Sequence, residues 1–291
     1  MPAQLVFTQL LNGLQFGVFL FLMASGLTLV LGVMNFVNLA HGAFAMAGGY
    51  ICAVLVNQHG WPFFAALPLA FVGSAVIGVV LERLLYRHLY TRSHLDQVLF
   101  SIGLVFMSVA AVDYIMGSSR VFIQLPSVLE GQLDVFGVGV GRYRLMIIVI
   151  CGLLTALLQL ILARTRFGSR LRAAVDDPRA ASGLGINVPQ VFAFTFAFGC
   201  GLAGLGGALS AEILGLDPYF PLKFMIYFLI VVTVGGSSSI TGPFLASLLL
   251  GIGDVAGKYY VPKMGPFVIY TIMIVILIWR PNGLFGRTAT R

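Results

Sequence analysis

Apolar runs of roughly 19 to 27 residues recur from end to end of the chain, each near or above the ~20 residues a helix needs to cross a bilayer. Inside lipid every backbone N–H and C=O must find a partner within the protein, and an α-helix supplies those partners within one segment. The pattern predicts an all-α, polytopic integral membrane helical bundle. Composition agrees, since 59% of residues are hydrophobic and 9% are charged, against about 25% charged in soluble domains. Little is left over for a soluble domain, so residues 1–291 read as a single transmembrane domain.

The runs place spans at about 5–31, 36–56, 63–81, 97–116, 145–163, 190–214, 224–257 and 264–279. The seventh is too long for one simple crossing. Its middle, GGSSSITGP at 235–243, combines Gly, Ser and Pro and predicts two shorter pieces meeting at a break. The count is then eight to nine spans, some discontinuous. The opening MPAQLVFTQLLNGLQFG lacks the basic region and cleavage site of a secretory signal, so the first helix is expected to be retained. Cys52, Cys151 and Cys200 fall in apolar runs without the paired spacing of a disulfide framework or zinc site, and no metal or cofactor is expected.

The formal charge of +7 does not point to nucleic acid, because the cations sit in short loops between spans. Eleven of them fall in three places: Arg83, Arg87 and Arg92; five arginines within 164–189; and Arg280, Arg287 and Arg291. The positive-inside rule puts these on the cytoplasmic side. Arg120, Arg142, Arg144, Lys223, Lys258 and Lys263 then fall outside. Parity requires two crossings, or a re-entrant pair, within 224–257, and it places the C-terminus in the cytoplasm and the N-terminus outside. The acids Asp113, Glu212 and Asp254 lie near expected outer ends and read as solvated rather than as proton relays.

The stretch RTRFGSRLRAAVDDPRAASGLGINVP, at 164–189, holds five of the seventeen basic residues. Asp177 before Pro178 reads as an N-cap followed by proline at the first helical position, and Gly185 stands where a glycine closes the turn. A short helical run at 167–175 precedes this one, with the DDP sequence as the corner. The prediction is a folded cytoplasmic elbow whose small residues Ala180, Ala181 and Gly185 form a smooth face for a soluble partner and whose arginines meet that partner's carboxylates.

Ala180, Ala181 and Gly185 also match the EAA, three residues, Gly pattern of coupling loops in permease subunits of ABC importers, with Arg179 at the glutamate position. Taken with MNFVNLAHGAFAMAGGY (34–50), FGSRLRAAVDDPRAASGLGINV (167–188), VGGSSSITGP (234–243) and RPNGLFG (280–286), the chain resembles the permease family of branched-chain amino-acid ABC importers, close to the shorter of two paired permeases. The resemblance spans nearly the whole chain. It implies a subunit of the bacterial inner membrane that works with a second permease, two ATP-binding subunits and a soluble extracytoplasmic binding protein. The ATPase-coupling residues it implies are Gly168, Arg170, Arg172, Asp176, Asp177, Pro178, Arg179, Ala180, Ala181 and Gly185. No GxxxxGK[ST] loop occurs, so ATP would be bound and hydrolysed by other polypeptides.

Polar groups at membrane depth usually face a cavity, a pore or another helix. Asn35, Asn38 and His41 cluster ahead of the small residues Gly42, Gly48 and Gly49, which predicts a discontinuous second span and either a solute path or interhelical hydrogen bonds. The second candidate is the break itself, where Gly235, Gly236, Ser237 and Ser238 could gate the path or form a structural hairpin. Gly199, Ala203, Gly207 and Ala211 repeat every fourth residue as a packing stripe. An apolar passage with a few hydroxyl, amide and backbone groups suits a branched aliphatic zwitterion, and also urea or short amides. A channel would give no reason for a capped basic elbow, a secondary transporter would more often show an intramembrane carboxylate or cation site where the acids here read as peripheral, and a serine protease would need a GxSG nucleophile that GGSSSITGP does not provide.

Overall fold

The first apolar run, at 5–31, becomes the longest helix. In the computed structural model, which describes residues 2–34, 36–90, 92–135, 138–236 and 241–285, α1 (Pro2–Met34) has 33 residues. At ~1.5 Å per residue it spans about 50 Å, more than the ~30 Å of bilayer hydrocarbon, so it tilts or extends past it. There follow α2 (His41–Ala53), continued by a turn of π-helix at Val54–Gln58, α3 (Phe63–Leu84) and α4 (His94–Met116). A hairpin of β1 (Gln132–Val135) and β2 (Val138–Gly141) precedes α5 (Arg142–Arg164), α6 (Arg166–Asp176), α7 (Pro178–Gly183) and α8 (Val188–Leu214). The chain closes with α9 (Phe220–Gly235), α10 (Thr241–Tyr260) and α11 (Gly265–Trp279).

α1, α3, α4, α5 and α8 are long and apolar enough to cross a membrane unaided, and α9 and α11 are shorter apolar helices. The long seventh run divides as expected, into α9 and α10, although α9 begins at Phe220 rather than 224. The second span is discontinuous: residues 36–40 are non-helical and α2 starts only at His41. The antiparallel hairpin, with Gln132 opposite Gly141, is a small addition to the all-helical expectation and lies in the connection between α4 and α5.

Burial divides the helices into two classes. α1 and α8 are largely enclosed, whereas α3, α4 and α5 leave most of their apolar surface facing out. Phe106, Met107, Leu153 and Leu157 are exposed on the outer helices, an arrangement that would be costly in water and is natural against lipid. α8 packs on α1, α2 and α3, while α10 packs on α1, α9 and α11.

With lipid as apolar as leucine, helices in a membrane associate largely by close packing of small residues. The α8 stripe does this. Gly199 meets the backbone of Gly26 on α1, and Gly207 lies so close to the Ala45 backbone of α2 that a side chain there has no room. Gly48 of α2 is likewise pressed against the Gly204 backbone. Ala203 and Ala211 are fully buried. Cys52, Cys151 and Cys200 are buried and unpaired.

One expectation is corrected by this packing. Asp254 is not a solvated helix end: it is 1% exposed and pairs with Lys258 one turn later at 2.5 Å. Asp113 is exposed and accepts a hydrogen bond from the Ser118 hydroxyl at 2.6 Å, and Glu212 is half-buried.

Candidate functional site

The elbow is built from local signals. Thr165 caps α6, its Oγ1 accepting from the Gly168 amide at 3.3 Å. Asp177 caps α7, with Oδ1 accepting from the amides of Arg179 at 2.9 Å and Ala180 at 3.0 Å, and Pro178 opens the helix. Gly185 ends it at φ +82°, a left-handed backbone that favours glycine, while the Ile186 amide donates back to the Ala181 carbonyl at 3.0 Å. Asn187 then caps α8 by accepting from the Gln190 amide at 3.1 Å. Each junction has its own cap, so the two short helices form a defined corner rather than a loose loop.

The elbow is fastened at both ends. Gly168 lies against the Leu162 carbonyl at the end of α5 with no room for a side chain. Arg172 donates to that same carbonyl and, at 3.4 Å, to the Ser169 hydroxyl. On the other side Ala174, Ala181 and Val188 form a small core of their own with Ile186, Val191 and Phe192 packed against it. This corrects the expectation for Ala181. It is 2% exposed and turned inward, so the outward face of the corner carries Arg170, Asp176, Asp177, Pro178, Arg179, Ala180 and Gly185 without it. Leu184, 82% exposed, was not singled out from the sequence, although a leucine between two glycines outside the apolar runs was the available signal.

The second candidate site gathers where the chain enters α2. Asn38 is fully buried and its Oδ1 accepts from the Tyr86 hydroxyl at 3.0 Å and from the Ala40 amide at 3.1 Å. The rings of Phe36, Phe100 and Phe196 surround Tyr86 at centroid separations of 5.4, 5.4 and 4.7 Å. Gln97, also buried, accepts from the Val37 amide at 3.3 Å and donates to the Leu89 and Arg92 carbonyls. Tyr86 and Gln97 therefore hold the non-helical segment in place, and neither stood out in the sequence. His41 is 1% exposed beside Gly26 of α1, and its ring faces the Met23 backbone without a well-aligned hydrogen bond at either nitrogen among the described residues. The Asn38 amide nitrogen is likewise buried and unpartnered among them. Asn35 lies outside the described residues.

At the break, α9 ends with Gly235, and Gly236 follows at φ +86°. Ser237 and Ser238 lie outside the described residues. The C-terminal segment folds back here: the Leu284 amide donates to the Val234 carbonyl at 2.8 Å and the Phe285 amide to the Gly235 carbonyl at 3.3 Å. Gly235 is also packed against Pro243. Two separated sequence motifs, VGGSSSITGP and RPNGLFG, thus meet at one place.

The two polar candidates are not brought together. Gly42, next to His41, lies against Pro221 at the start of α9, whereas Gly235 is at its end. The fourteen steps from Pro221 to Gly235 correspond to about 21 Å along the helix.

Over residues 9–277 the chain matches the family described as branched-chain amino acid transport system / permease component. The chain belongs to this family. It is 30% identical to the high-affinity branched-chain amino acid transport system permease protein BraD of Pseudomonas aeruginosa, over 96% of this chain and 95% of that protein. To the protein of the same description named LivH in Escherichia coli K12 it is 29% identical, with the same coverage. It is also 26% identical to LivM of Salmonella typhimurium, over 90% of this chain and 67% of LivM. No solved structure matches. The permease is a multi-pass membrane protein and a transport component, not itself an enzyme. Among the described residues no group of three or more His, Cys, Asp or Glu side chains is placed to hold a metal.

Proposed function

We propose that this permease is one of two membrane-spanning subunits of an ATP-binding-cassette importer that carries branched-chain or related hydrophobic amino acids inward across the bacterial plasma membrane. The observation that carries the reading is the capped α6–α7 corner. It is a rigid element fastened to α5 through Gly168 and Arg172 and to α8 through the Ala174, Ala181 and Val188 core. A subunit docking on Arg170, Asp176, Asp177, Pro178, Arg179, Ala180, Leu184 and Gly185 would move two transmembrane helices at once. Leu184 supplies an apolar knob and Arg179 a cation at its edge, a combination suited to a protein groove with an acidic rim.

Two ATP-binding subunits would dock there, one of them on this chain and the other on a second permease, with a binding protein delivering solute to the opposite face. α8 carries the motion inward, because its Gly199 lies against Gly26, which also touches His41. From Val188 to Gly199 is about 16 Å along the helix. Asn38, His41, Gly235 and Gly236, with Asn35, Ser237 and Ser238 beside them in sequence, are the groups proposed to border the solute path. The elbow's side is the cytoplasmic one, with the C-terminus on that side and the N-terminus opposite.

The test is gentle purification of the tagged chain from native membranes with identification of every co-purifying protein, repeated with Arg179→Glu and Leu184→Glu. The native chain is expected to bring down ATPases, a second permease and leucine-stimulated ATP hydrolysis once binding protein is added. The substitutions should shed the ATPases alone. Recovery of the chain with no ATPase in any form would sink the proposal.

A further inference from the structure

Beside the elbow lies a cavity of about 240 Å³ lined by Leu29 of α1, Leu158, Ile161 and Leu162 of α5, Phe167 of α6, and Phe194, Thr195 and Phe198 of α8. Its walls are apolar, since Thr195 donates its hydroxyl to the Val191 carbonyl at 2.8 Å. An apolar cavity of ~150 Å³ is already large enough to stay dry and accept a benzene-sized guest. Phe194, 58% exposed, stands at its rim, and the neighbouring turns of α5 expose Leu153, Leu157 and Leu160. Its surroundings are therefore those of a lipid-facing surface.

The charge around it is of one sign. Arg164 and Arg166 flank the α5–α6 corner in sequence, and the Arg172 guanidinium is bonded to the carbonyl of Leu162, a residue of the cavity wall. No acidic residue occurs between Asp134 and Asp176, nor in α1, nor in α8 before Glu212. Among the described residues Arg164, Arg166 and Arg172 form no ion pair with a carboxylate. Arg172 also keeps guanidinium donors beyond the two it uses on Leu162 and Ser169.

From this juxtaposition we infer that the cavity holds an acyl chain of an anionic phospholipid, with its phosphate gathered by Arg164, Arg166 and Arg172. The ligand is an amphiphile because the region is one: an apolar slot with Arg172 bonded to its wall and Arg164 and Arg166 near lining residues in sequence. A zwitterionic lipid would bring its own cation to compete with the arginines for its phosphate, and a water-soluble anion would leave the slot empty. Arginine suits the head group because its planar fork grips phosphate oxygens in pairs. The lipid would brace α5, α6 and α8 against one another at the base of the elbow. This inference does not depend on what docks at Leu184 or on which solute is carried.

The experiment is native mass spectrometry of the detergent-purified chain, delipidated and then given phosphatidylglycerol or phosphatidylcholine of identical acyl chains. One phosphatidylglycerol per chain should be retained with about tenfold preference over phosphatidylcholine. The double variant Arg164→Gln, Arg166→Gln lies on the surface and should erase the preference with the fold intact. Ile161→Phe, which fills the cavity, should lower retention of both lipids at least fivefold. Equal retention of the two lipids by the native chain would overturn the inference, as would retention by Ile161→Phe that matches the native chain. A cavity covered instead by the second permease would show itself as a site that takes up no lipid until that subunit is removed, and this too would overturn it.

Discussion

Asp254 and Lys258, one turn apart on α10, form an ion pair in which the carboxylate is buried and the ammonium half exposed. The same ammonium sits 5.7 Å from the centroid of Phe16 on α1, so the pair fastens the helix pair α1 and α10 as well as itself. Removing one partner of a buried pair costs about 3–5 kcal/mol because the other is left unpaired, and the half-exposed lysine should reduce that to about 1–3 kcal/mol. Lys258→Ala, which strands the buried carboxylate, should lower the melting temperature of the purified chain more than Asp254→Asn, which removes the charge. A scanning fluorimetry series showing equal losses, or none, would contradict this.

The contact of Gly207 with the Ala45 backbone makes a sharper demand, because backbone cannot step aside as a side chain can. Gly207→Val should abolish accumulation of a monodisperse species on size-exclusion chromatography. Gly103→Ala, where nothing lies within 4 Å of the added carbon, should behave as the native chain. Indifference at Gly207 would mean that α2 and α8 are not packed as described.

What was readable in the sequence was what is decided locally. The Asp177 and Pro178 start of α7, its Gly185 stop and the glycine-rich break after Gly235 each depend on a few consecutive residues, and each appears where expected. The facing of Ala181 was not readable, because a six-residue helix is too short for its hydrophobic pattern to show which side turns inward. The Tyr86 contact with Asn38 joins residues 48 positions apart and the Gln97 contact with Val37 joins residues 60 apart. Only the assembled bundle brings them together. Asp254 shows the same limit: Lys258 at i+4 was visible, but the burial that α1 and α9 impose was not.

The caps of the elbow can be separated from its docking face. Asp177→Ala removes the side-chain acceptor for two amides, a loss of about 1 kcal/mol. It should loosen α7 with the transmembrane helices intact. The expected result is uptake reduced two- to fivefold (order of magnitude from the same cap loss) with unchanged abundance and normal recovery of the second permease. Gly168→Val, which collides with the Leu162 carbonyl, should instead reduce abundance as well. Unaltered uptake in Asp177→Ala at native abundance would show that the order of α7 does not matter for coupling.

The entrance to α2 decides between a solute path and simple packing. Asn38 spends its oxygen on Tyr86 and Ala40, which is a structural use, whereas the buried His41 ring faces the Met23 backbone without a well-aligned hydrogen bond at either nitrogen among the described residues. A buried polar group left in that state costs about 1–3 kcal/mol, and a passing ammonium or carboxylate would offset it during transport. Tyr86→Phe should therefore cost about 1 kcal/mol in stability with little effect on uptake. His41→Phe keeps a ring of similar breadth and discards the nitrogens, so it should assemble normally and lower leucine uptake by about tenfold, the ~1.4 kcal/mol equivalent of one lost polar contact. Uptake at the native rate by fully assembled His41→Phe would assign the site to packing, and the path would have to be sought at the other end of α9, beside Gly235.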